Sequence, residues 1–236
     1  MGIRTRDLKI LYETKDGRDR IRVAGCRHHG RQARLLLVNG AVQSAMYTEP
    51  AFRSRLIFPY MREMQWLHAL RPGSRRTLLL GAGGFAWPRH VLSEDPLCSV
   101  DAVEISRTVI DVSREWFDLP EDPRLRVFCC DAADYLRRYT GAGYDFVIND
   151  AFRGLKHAGS LHSRENLRQI RSVMNRDGVY AVNYPASLKG LRSSGASREM
   201  RRLRSVFRYT LLLPCEEGRS PYERQNCLLF ASDSEL

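Results

Sequence analysis

The sequence predicts an α/β protein in which a small antiparallel β-domain precedes a doubly wound, mainly parallel sheet. From about residue 77 onward, short apolar runs alternate with helical segments, as in consecutive βαβ units. Before residue 50 the chain shows short strands separated by turns, with Asn39-Gly40, a strong hairpin signal, between two of them. We therefore expect a small N-terminal domain over residues 1–52 and an α/β domain over residues 53–236.

Length and composition narrow the class of protein. The 236 residues are 43% apolar and 28% charged, which is typical of a globular chain and excludes a wholly disordered one. No run approaches the roughly 18 apolar residues of a membrane-spanning helix. The first residues lead into no apolar segment of the kind found in secretory signals. These features predict a cytoplasmic protein without a membrane partner.

The chain is basic, with 38 Lys and Arg residues against 27 Asp and Glu residues and a formal charge of +11. Nearly all of the positive charge comes from arginines, which are scattered along the sequence. A basic surface can bind nucleic acid, but no recognisable nucleic-acid-binding motif accompanies it, so this hypothesis is the weaker one. The six cysteines include the vicinal pair Cys129-Cys130 but no C-x-x-C motif, which predicts buried thiols and no metal site.

The N-terminal part is predicted to contain four strands and then a helix. Alternating or apolar runs mark strands over 8–14, 20–23, 33–38 and 41–46. Helical apolar spacing predicts one helix over 58–70, which ends before Pro72-Gly73.

The remaining chain is predicted to alternate strands and helices. The predicted strands are 77–80, 99–104, 125–130, 144–150 and 178–183, and the predicted helices are 86–92, 106–117, 163–174 and 197–205. Strands 209–213 and 227–231 are expected to pair antiparallel and to close the sheet. The segment 187–197, rich in Ser, Gly and Arg, is predicted to be a mobile loop.

The candidate site follows from the residues that end the parallel strands, because ligands of open α/β sheets lie beyond these carboxyl ends. Gly81-Ala82-Gly83-Gly84 ends the first strand and lets the backbone approach a ligand closely. Glu104 ends the second strand, where a carboxylate can accept hydrogen bonds from both ribose hydroxyls. Together the loop and the acid favour a nucleoside site over a mere turn and a solvated cap.

Two further acids follow strands. Asp131 ends the third strand and can either bind the exocyclic amine of an adenine or cap the next helix. Asp150 follows the almost wholly apolar run Phe146-Val147-Ile148 and is expected at the floor of the crevice. A carboxylate there can act as a general base or orient an amine nucleophile. Its alternative roles are a helix cap or an ion pair, for example with Arg153.

Several of these motifs occur in the order seen in spermidine synthases, the polyamine aminopropyltransferases. The motifs are Val38-Asn39-Gly40-Ala41-Val42-Gln43, Gly81-Ala82-Gly83-Gly84, Val103-Glu104-Ile105, Asp131-Ala132 and Tyr144-Asp145-Phe146-Val147-Ile148-Asn149-Asp150. The resemblance spans roughly residues 20 to 185 and is strongest to bacterial spermidine-synthase-like proteins. The hairpin that carries Gln43 matters most, because ordinary class I methyltransferases share the glycine loop but not this hairpin.

The resemblance implies a small β-domain followed by a class I methyltransferase-like, Rossmann-like domain, usually in dimers or tetramers, and we expect a homodimer here. It implies decarboxylated S-adenosylmethionine as donor, an amine as acceptor and no metal. By position, Gln43 and Glu104 would contact the donor together with the glycine loop (Gly81, Gly83 and Gly84). Asp131 would contact the adenine, and Asp150 would be the catalytic aspartate. Tyr60 would correspond to a tyrosine of the substrate pocket.

The chain departs from the family at two acidic positions. The aspartate that holds the donor's ammonium in the family falls here at Gly84 or Phe85, and the second aspartate after the catalytic one falls at Arg153. An arginine beside a dication costs on the order of 1–4 kcal/mol at ~4 Å. The sequence therefore predicts an acceptor other than putrescine, with Arg153 in the acceptor part of the site. It also admits intact S-adenosylmethionine as donor.

Four hypotheses follow from the sequence. The first is a transferase that moves an aminopropyl-type group to an amine. The second is an S-adenosylmethionine-dependent methyltransferase of the same fold. The third is a non-catalytic nucleoside-binding homologue that has lost the pocket acids. The fourth is an RNA-binding or RNA-modifying protein that uses the arginines.

Overall fold

The N-terminal part of the chain is a four-stranded antiparallel sheet. The computed structural model describes residues 8–153, 156–157, 159–190 and 193–236. The strands, in the order β1-β2-β3-β4, are β1 (Lys9–Asp16), β2 (Asp19–His28), β3 (Arg31–Val38) and β4 (Ala41–Tyr47). Asn39 and Gly40 both have positive φ, 52° and 81°, and join β3 to β4 in the two-residue turn that their sequence predicts.

The predicted helix over 58–70 is wrong as a single element. The structure has two short helices instead, α1 (Pro59–Glu63) and α2 (Trp66–Leu70). Between them the backbone tightens, since the amide of Leu67 donates to the carbonyl oxygen of Met64, three residues back. The tighter turn allows both Met64 and Leu67 to be fully buried.

A seven-stranded sheet forms the larger part of the molecule. Its strands are β5 (Arg76–Leu80), β6 (Ser99–Glu104), β7 (Leu125–Cys129), β8 (Tyr144–Asn149), β11 (Met174–Asn183), β12 (Tyr209–Pro214) and β13 (Cys227–Ser232). The order is β12-β13-β11-β8-β5-β6-β7. β11, β8, β5, β6 and β7 are parallel neighbours, whereas β12 and β13 pair antiparallel at one edge, as predicted.

In the described part of the chain, five α-helices lie between the strands of the large sheet. They are α3 (Ala86–Glu94), α4 (Arg107–Trp116), α5 (Ala132–Arg138), α6 (Arg164–Ser172) and α7 (Ser194–Arg204). A two-stranded hairpin that the sequence did not predict, β9 (Phe152–Arg153) with β10 (Lys156–His157), follows β8.

Several predicted boundaries are wrong. The strand predicted over 20–23 continues in the structure to His28. Met174 begins β11 and does not end a helix, because it already pairs with Tyr144 of the parallel neighbour β8. The predicted loop 187–197 also includes the first turn of α7, which begins at Ser194, and its positions 191–192 lie outside the described residues.

Side chains on the two faces of the parallel strands pack into separate cores. In β5, Leu79 faces the core formed with α3 and α4, whereas Leu78 and Leu80 face the core formed with α5, α6 and α7. A further cluster joins the N-terminal sheet to α4, because Leu36 and Met46 pack with Val109 and Val112 of that helix. This contact holds the β3–β4 hairpin beside the carboxyl edge of the large sheet.

The order of the strands reverses between β5 and β8, since the chain goes from β5 to β6 and β7 and then returns to the other side of β5. Gly81 follows β5 with φ of 84°, and a Cβ atom there would lie 2.6 Å from the Cα atom of Ala151. Its amide donates to the carbonyl oxygen of Val103 at 2.9 Å, and the amide of Asp150 donates to that of Leu80 at 2.9 Å. Only glycine fits this contact, which brings the ends of three strands together.

We predict that Gly81→Ala lowers the free energy of unfolding more than a matched substitution does. Gly73 has a similar φ of 88° but open space around its Cα, so Gly73→Ala tests the backbone strain alone. That strain costs about 1–2 kcal/mol. The collision at Gly81 should add about 1–3 kcal/mol. Urea unfolding measures both variants, and equal losses would contradict the predicted collision.

Candidate active site

A cavity of about 280 Å³ lies between the N-terminal sheet and the carboxyl edge of the large sheet. Its described lining residues come from both sheets and from the segments that join them: Leu36, Val38, Ala41, Val42, Gln43, Phe58, Tyr60, Gly81, Ala82, Gly83, Glu104, Val109, Asp150, Asn183, Pro185, Arg224 and Asn226. The volume is near the lower end of the about 300–1,000 Å³ typical of small-molecule sites. The cavity therefore has the size and position of a ligand site.

Glu104 is buried beneath the glycine loop and orders it. Its Oε2 accepts hydrogen bonds from the amides of Ala82 and Gly83, both at 3.1 Å, and its Oε1 accepts one from the amide of Ser106 at 3.1 Å. Burial raises the pKa of Glu104, and these backbone bonds oppose that effect. The carboxylate thus ties the end of β6 to the loop that follows β5.

The glycine loop is also held from its other side. The hydroxyl of Ser113 donates to the carbonyl oxygen of Gly83 at 3.0 Å, and the buried guanidinium of Arg89 donates to that of Gly84 at 3.2 Å. A Cβ atom at Gly84 would lie 2.6 Å from the Oγ atom of Ser44. A side chain at position 84 would therefore displace β4. Gly84 itself is not among the described residues that line the cavity.

Asp150 lies at the floor of the cavity, where two side chains fix its carboxylate. The hydroxyl of Tyr60 donates to Oδ2 at 2.8 Å, and the Nδ2 atom of Asn183 donates to Oδ1 at 2.9 Å. Burial raises the pKa of Asp150 from 3.8 to about 6, although both hydrogen bonds act in the opposite direction. Burial and the nearby carboxylate also raise the pKa of Tyr60. A carboxylate with a pKa near neutrality, oriented by two donors, suits proton transfer.

Of the residues singled out from the sequence, the structure brings six to this cavity: Gln43, Tyr60, Gly81, Gly83, Glu104 and Asp150. Asp131 is described but does not line it. Its Oδ1 accepts hydrogen bonds from the amides of Ala133 and Asp134, at 2.8 and 3.2 Å, and so caps α5. Its contact with an adenine stays a prediction. The side chain of Arg153 lies outside what the structure describes.

Three polar residues that line the cavity were missed by the sequence reasoning. Asn183 ends the parallel strand β11, so the rule that singled out Glu104 could also have found it. Arg224 and Asn226 lie before β13, an antiparallel strand, and no spacing in the sequence marks them. They reach the cavity only through the pairing of β13 with β11.

The structure describes no group of three His, Cys, Asp or Glu residues arranged to hold a metal ion. Four of the cysteines are buried, but Cys129 is exposed and Cys130 half-buried, so the prediction of buried thiols is wrong for this pair. In the described part of the chain, no helix is long and apolar enough to cross a bilayer.

The fold and the site define the class of protein, an α/β protein whose glycine loop and strand-end acids line a ligand cavity. Residues 65–210 match the Spermine/spermidine synthase domain, so the chain belongs to that family, as the sequence predicted. The chain is 30% identical over 183 residues to polyamine aminopropyltransferase 1 of Hyperthermus butylicus, an alignment that covers 72% of this chain and 58% of that protein. The alignments with the first three curated relatives cover 50–58% of those relatives' lengths.

Solved structures show the same fold. A probable spermidine synthase from Corynebacterium glutamicum superposes with a TM-score of 0.79 at 24% identity, covering 97% of this chain and 82% of that one. Human methyltransferase-like protein 13, solved with SAH, superposes with a TM-score of 0.64 at 20% identity, covering 75% of this chain and 82% of that one. These likenesses confirm the predicted fold, in which a small N-terminal antiparallel sheet is followed along the chain by a methyltransferase-like sheet.

We predict that Asp150→Asn stabilises the protein increasingly as the pH rises from 4 to 7. The folded state holds the proton of Asp150 up to about pH 6, whereas the unfolded chain releases it near pH 3.8. Between these values the folded state binds more protons, so the stability of the wild type falls as the pH rises. Asparagine lacks this proton.

Urea unfolding of both proteins at pH 4, 5 and 7 measures the difference. It should grow by about 1–2 kcal/mol, allowing for the partial exposure of Asp150. A difference that stays constant or shrinks with pH would contradict a raised pKa for Asp150.

Proposed function

We propose that this protein is a transferase that binds S-adenosylmethionine or its decarboxylated form in the cavity and transfers an alkyl group of the aminopropyl type to an amine other than putrescine. The observation that carries the proposal is the convergence of Gln43, the glycine loop, Glu104 and Asp150 on one cavity. Family membership supplies the reaction class, since the matched domain is that of spermine and spermidine synthases.

The nucleoside occupies the end of the cavity between the β3–β4 hairpin and the glycine loop. Val38 and Val42 supply apolar surface there, and Glu104 supplies a carboxylate that can accept hydrogen bonds from ribose hydroxyls. Glu104 is already oriented by the loop amides, so little ordering is needed when the ligand binds.

The chemical step is a displacement at the carbon beside the sulfonium. The lone pair of a neutral amine forms the new C–N bond while the C–S bond breaks and its electron pair passes to sulfur, which leaves as a neutral thioether. The amine proton passes to the carboxylate of Asp150. Tyr60 and Asn183 hold that carboxylate in place, so catalysis arises from positioning together with proton removal.

The acceptor is not putrescine, because this site lacks the carboxylates that a dication requires. Glu104 and Asp150 are the carboxylates among the described lining residues, and Glu104 is assigned to the ribose, which leaves Asp150 for the acceptor. Position 84 has no room for an acid because Ser44 lies against it. In the sequence, an arginine stands at position 153, where the resemblance implies an aspartate.

Methyl transfer is the second candidate, supported by the structural likeness to a human methyltransferase-like protein solved with SAH. The thioether product separates the two reactions. Methylthioadenosine marks aminopropyl-type transfer, and S-adenosylhomocysteine marks methyl transfer.

The domain boundary at residue 52, the homodimer and the cytoplasmic location stay predictions.

We predict that methylthioadenosine binds the wild type and that Glu104→Gln weakens its binding by about 10- to 100-fold. Glutamine replaces one carboxylate oxygen by an NH₂ group, which cannot accept the bonds that Glu104 makes, and an unmatched buried donor costs about 1–3 kcal/mol. Isothermal titration calorimetry measures the affinity, with the exposed Glu121→Gln as the matched control. Absence of binding to the wild type would refute the proposed function.

We predict that Asp150→Asn lowers turnover by about 10²- to 10⁴-fold while the affinity for methylthioadenosine stays near that of the wild type. Turnover is measured as the release of thioether from S-adenosylmethionine and from its decarboxylated form with a panel of primary amines. In the wild type it should rise with pH around a midpoint near 6, because the carboxylate must be deprotonated.

Asp134→Asn, at an exposed acid on α5, is the control for this substitution. A wild-type rate retained by Asp150→Asn would exclude Asp150 as the base.

A further inference from the structure

The end of the cavity beyond Asp150 is built where β11 ends and where the chain approaches β13. Its lining residues are Asn183, the last residue of β11, then Pro185, and Arg224 and Asn226 before β13. Backbone hydrogen bonds continue the pairing of these strands past their ends. The amide of Tyr184 donates to the carbonyl oxygen of Cys227 at 2.8 Å, and Ala186 and Gln225 exchange two bonds of 2.9 and 3.0 Å. The backbone of Arg224 is therefore held beside the cavity.

The side chain of Arg224 has unused hydrogen-bonding capacity. Its Nε atom donates to the carbonyl oxygen of Pro185 at 3.3 Å, but its two terminal nitrogens contact no acceptor among the described residues, and no described acid forms an ion pair with it. Arg219 in the same loop differs, because it pairs with both Glu216 and Glu223. Two parallel donors without a partner suit a carboxylate.

Asn183 lines the same space and holds the carboxylate of Asp150 there. It is 3% exposed, its Nδ2 atom donates to Asp150, and its Oδ1 atom has no hydrogen-bond partner. A buried oxygen without a partner destabilises the folded state. An amine held by the carboxylate of Asp150 would therefore lie next to Asn183.

We propose that this end of the cavity binds an amino acid unit, with its amine on the carboxylate of Asp150, next to Asn183, and its carboxylate on Arg224. The inference rests on the proposed function and narrows its substrate class. A diamine would place its second ammonium group near Arg224. Glu216 would not offset that repulsion, because its carboxylate already accepts hydrogen bonds from Asn226 and pairs with Arg219.

An amino acid unit in this part of the cavity could come from either of two molecules. One is an amino acid that serves as acceptor, and the other is the methionine part of intact S-adenosylmethionine. Two ligand pairs separate them, because each pair differs by one carboxylate. L-Ornithine is putrescine with a carboxylate, and S-adenosylmethionine differs in the same way from its decarboxylated form.

The test is isothermal titration calorimetry of the full chain with both pairs, the acceptor pair being titrated in the presence of methylthioadenosine. In the wild type, the carboxylate-bearing member of at least one pair should bind about 10-fold or more tightly, as for a charge-assisted hydrogen bond. Arg224→Gln should remove this preference, and Arg224→Glu should reverse it. Arg137→Gln, which removes an exposed arginine of α5, should retain it.

The pair that shows the preference identifies the source. If methylthioadenosine binds and neither pair shows the preference, or Arg224→Gln leaves it intact, the inference is overturned while the nucleoside site stands. If methylthioadenosine itself does not bind, the proposed function fails and the inference fails with it.

Discussion

The close contact between Gly81 and the backbone of Asp150 and Ala151 is the constraint on which the site depends. It occurs where the strand order reverses, between β5 and β8, and only a residue without a Cβ atom permits it. Because the amide of Gly81 also bonds to β6, three strand ends are fixed at one point. The acids that follow these strands then share a cavity without any long-range adjustment of the chain.

The carboxylates around this point have different roles because their partners differ. Glu104 accepts three backbone hydrogen bonds and so orders the loop. Asp150 is held by two neutral side chains, and its carboxylate keeps a raised pKa. The glycine loop carries no third acid, since Ser44 occupies the space that a side chain at position 84 would need. In its place the far end of the cavity has Arg224, which favours a substrate with a negative charge.

Much of this arrangement could be predicted from the sequence, because local rules govern it. Asn39-Gly40 specified its turn, and the apolar runs before Gly81, Glu104 and Asp150 placed those residues at strand ends. These local rules failed where contacts with distant parts of the chain determine the structure. The tight turn at Met64 depends on burial in a core that the local sequence does not reveal. Arg224 reaches the cavity only through strand pairing across the sheet edge.

The central claim is that the acids at the strand ends surround one nucleoside site, and a crystal structure of the wild-type protein grown with methylthioadenosine tests it most directly. The account predicts electron density for the nucleoside between the β3–β4 hairpin and the glycine loop, with the ribose hydroxyls on Glu104 and the sulfur directed toward Asp150. Density for the nucleoside at another surface, or a cavity filled by side chains in a saturated crystal, would contradict it.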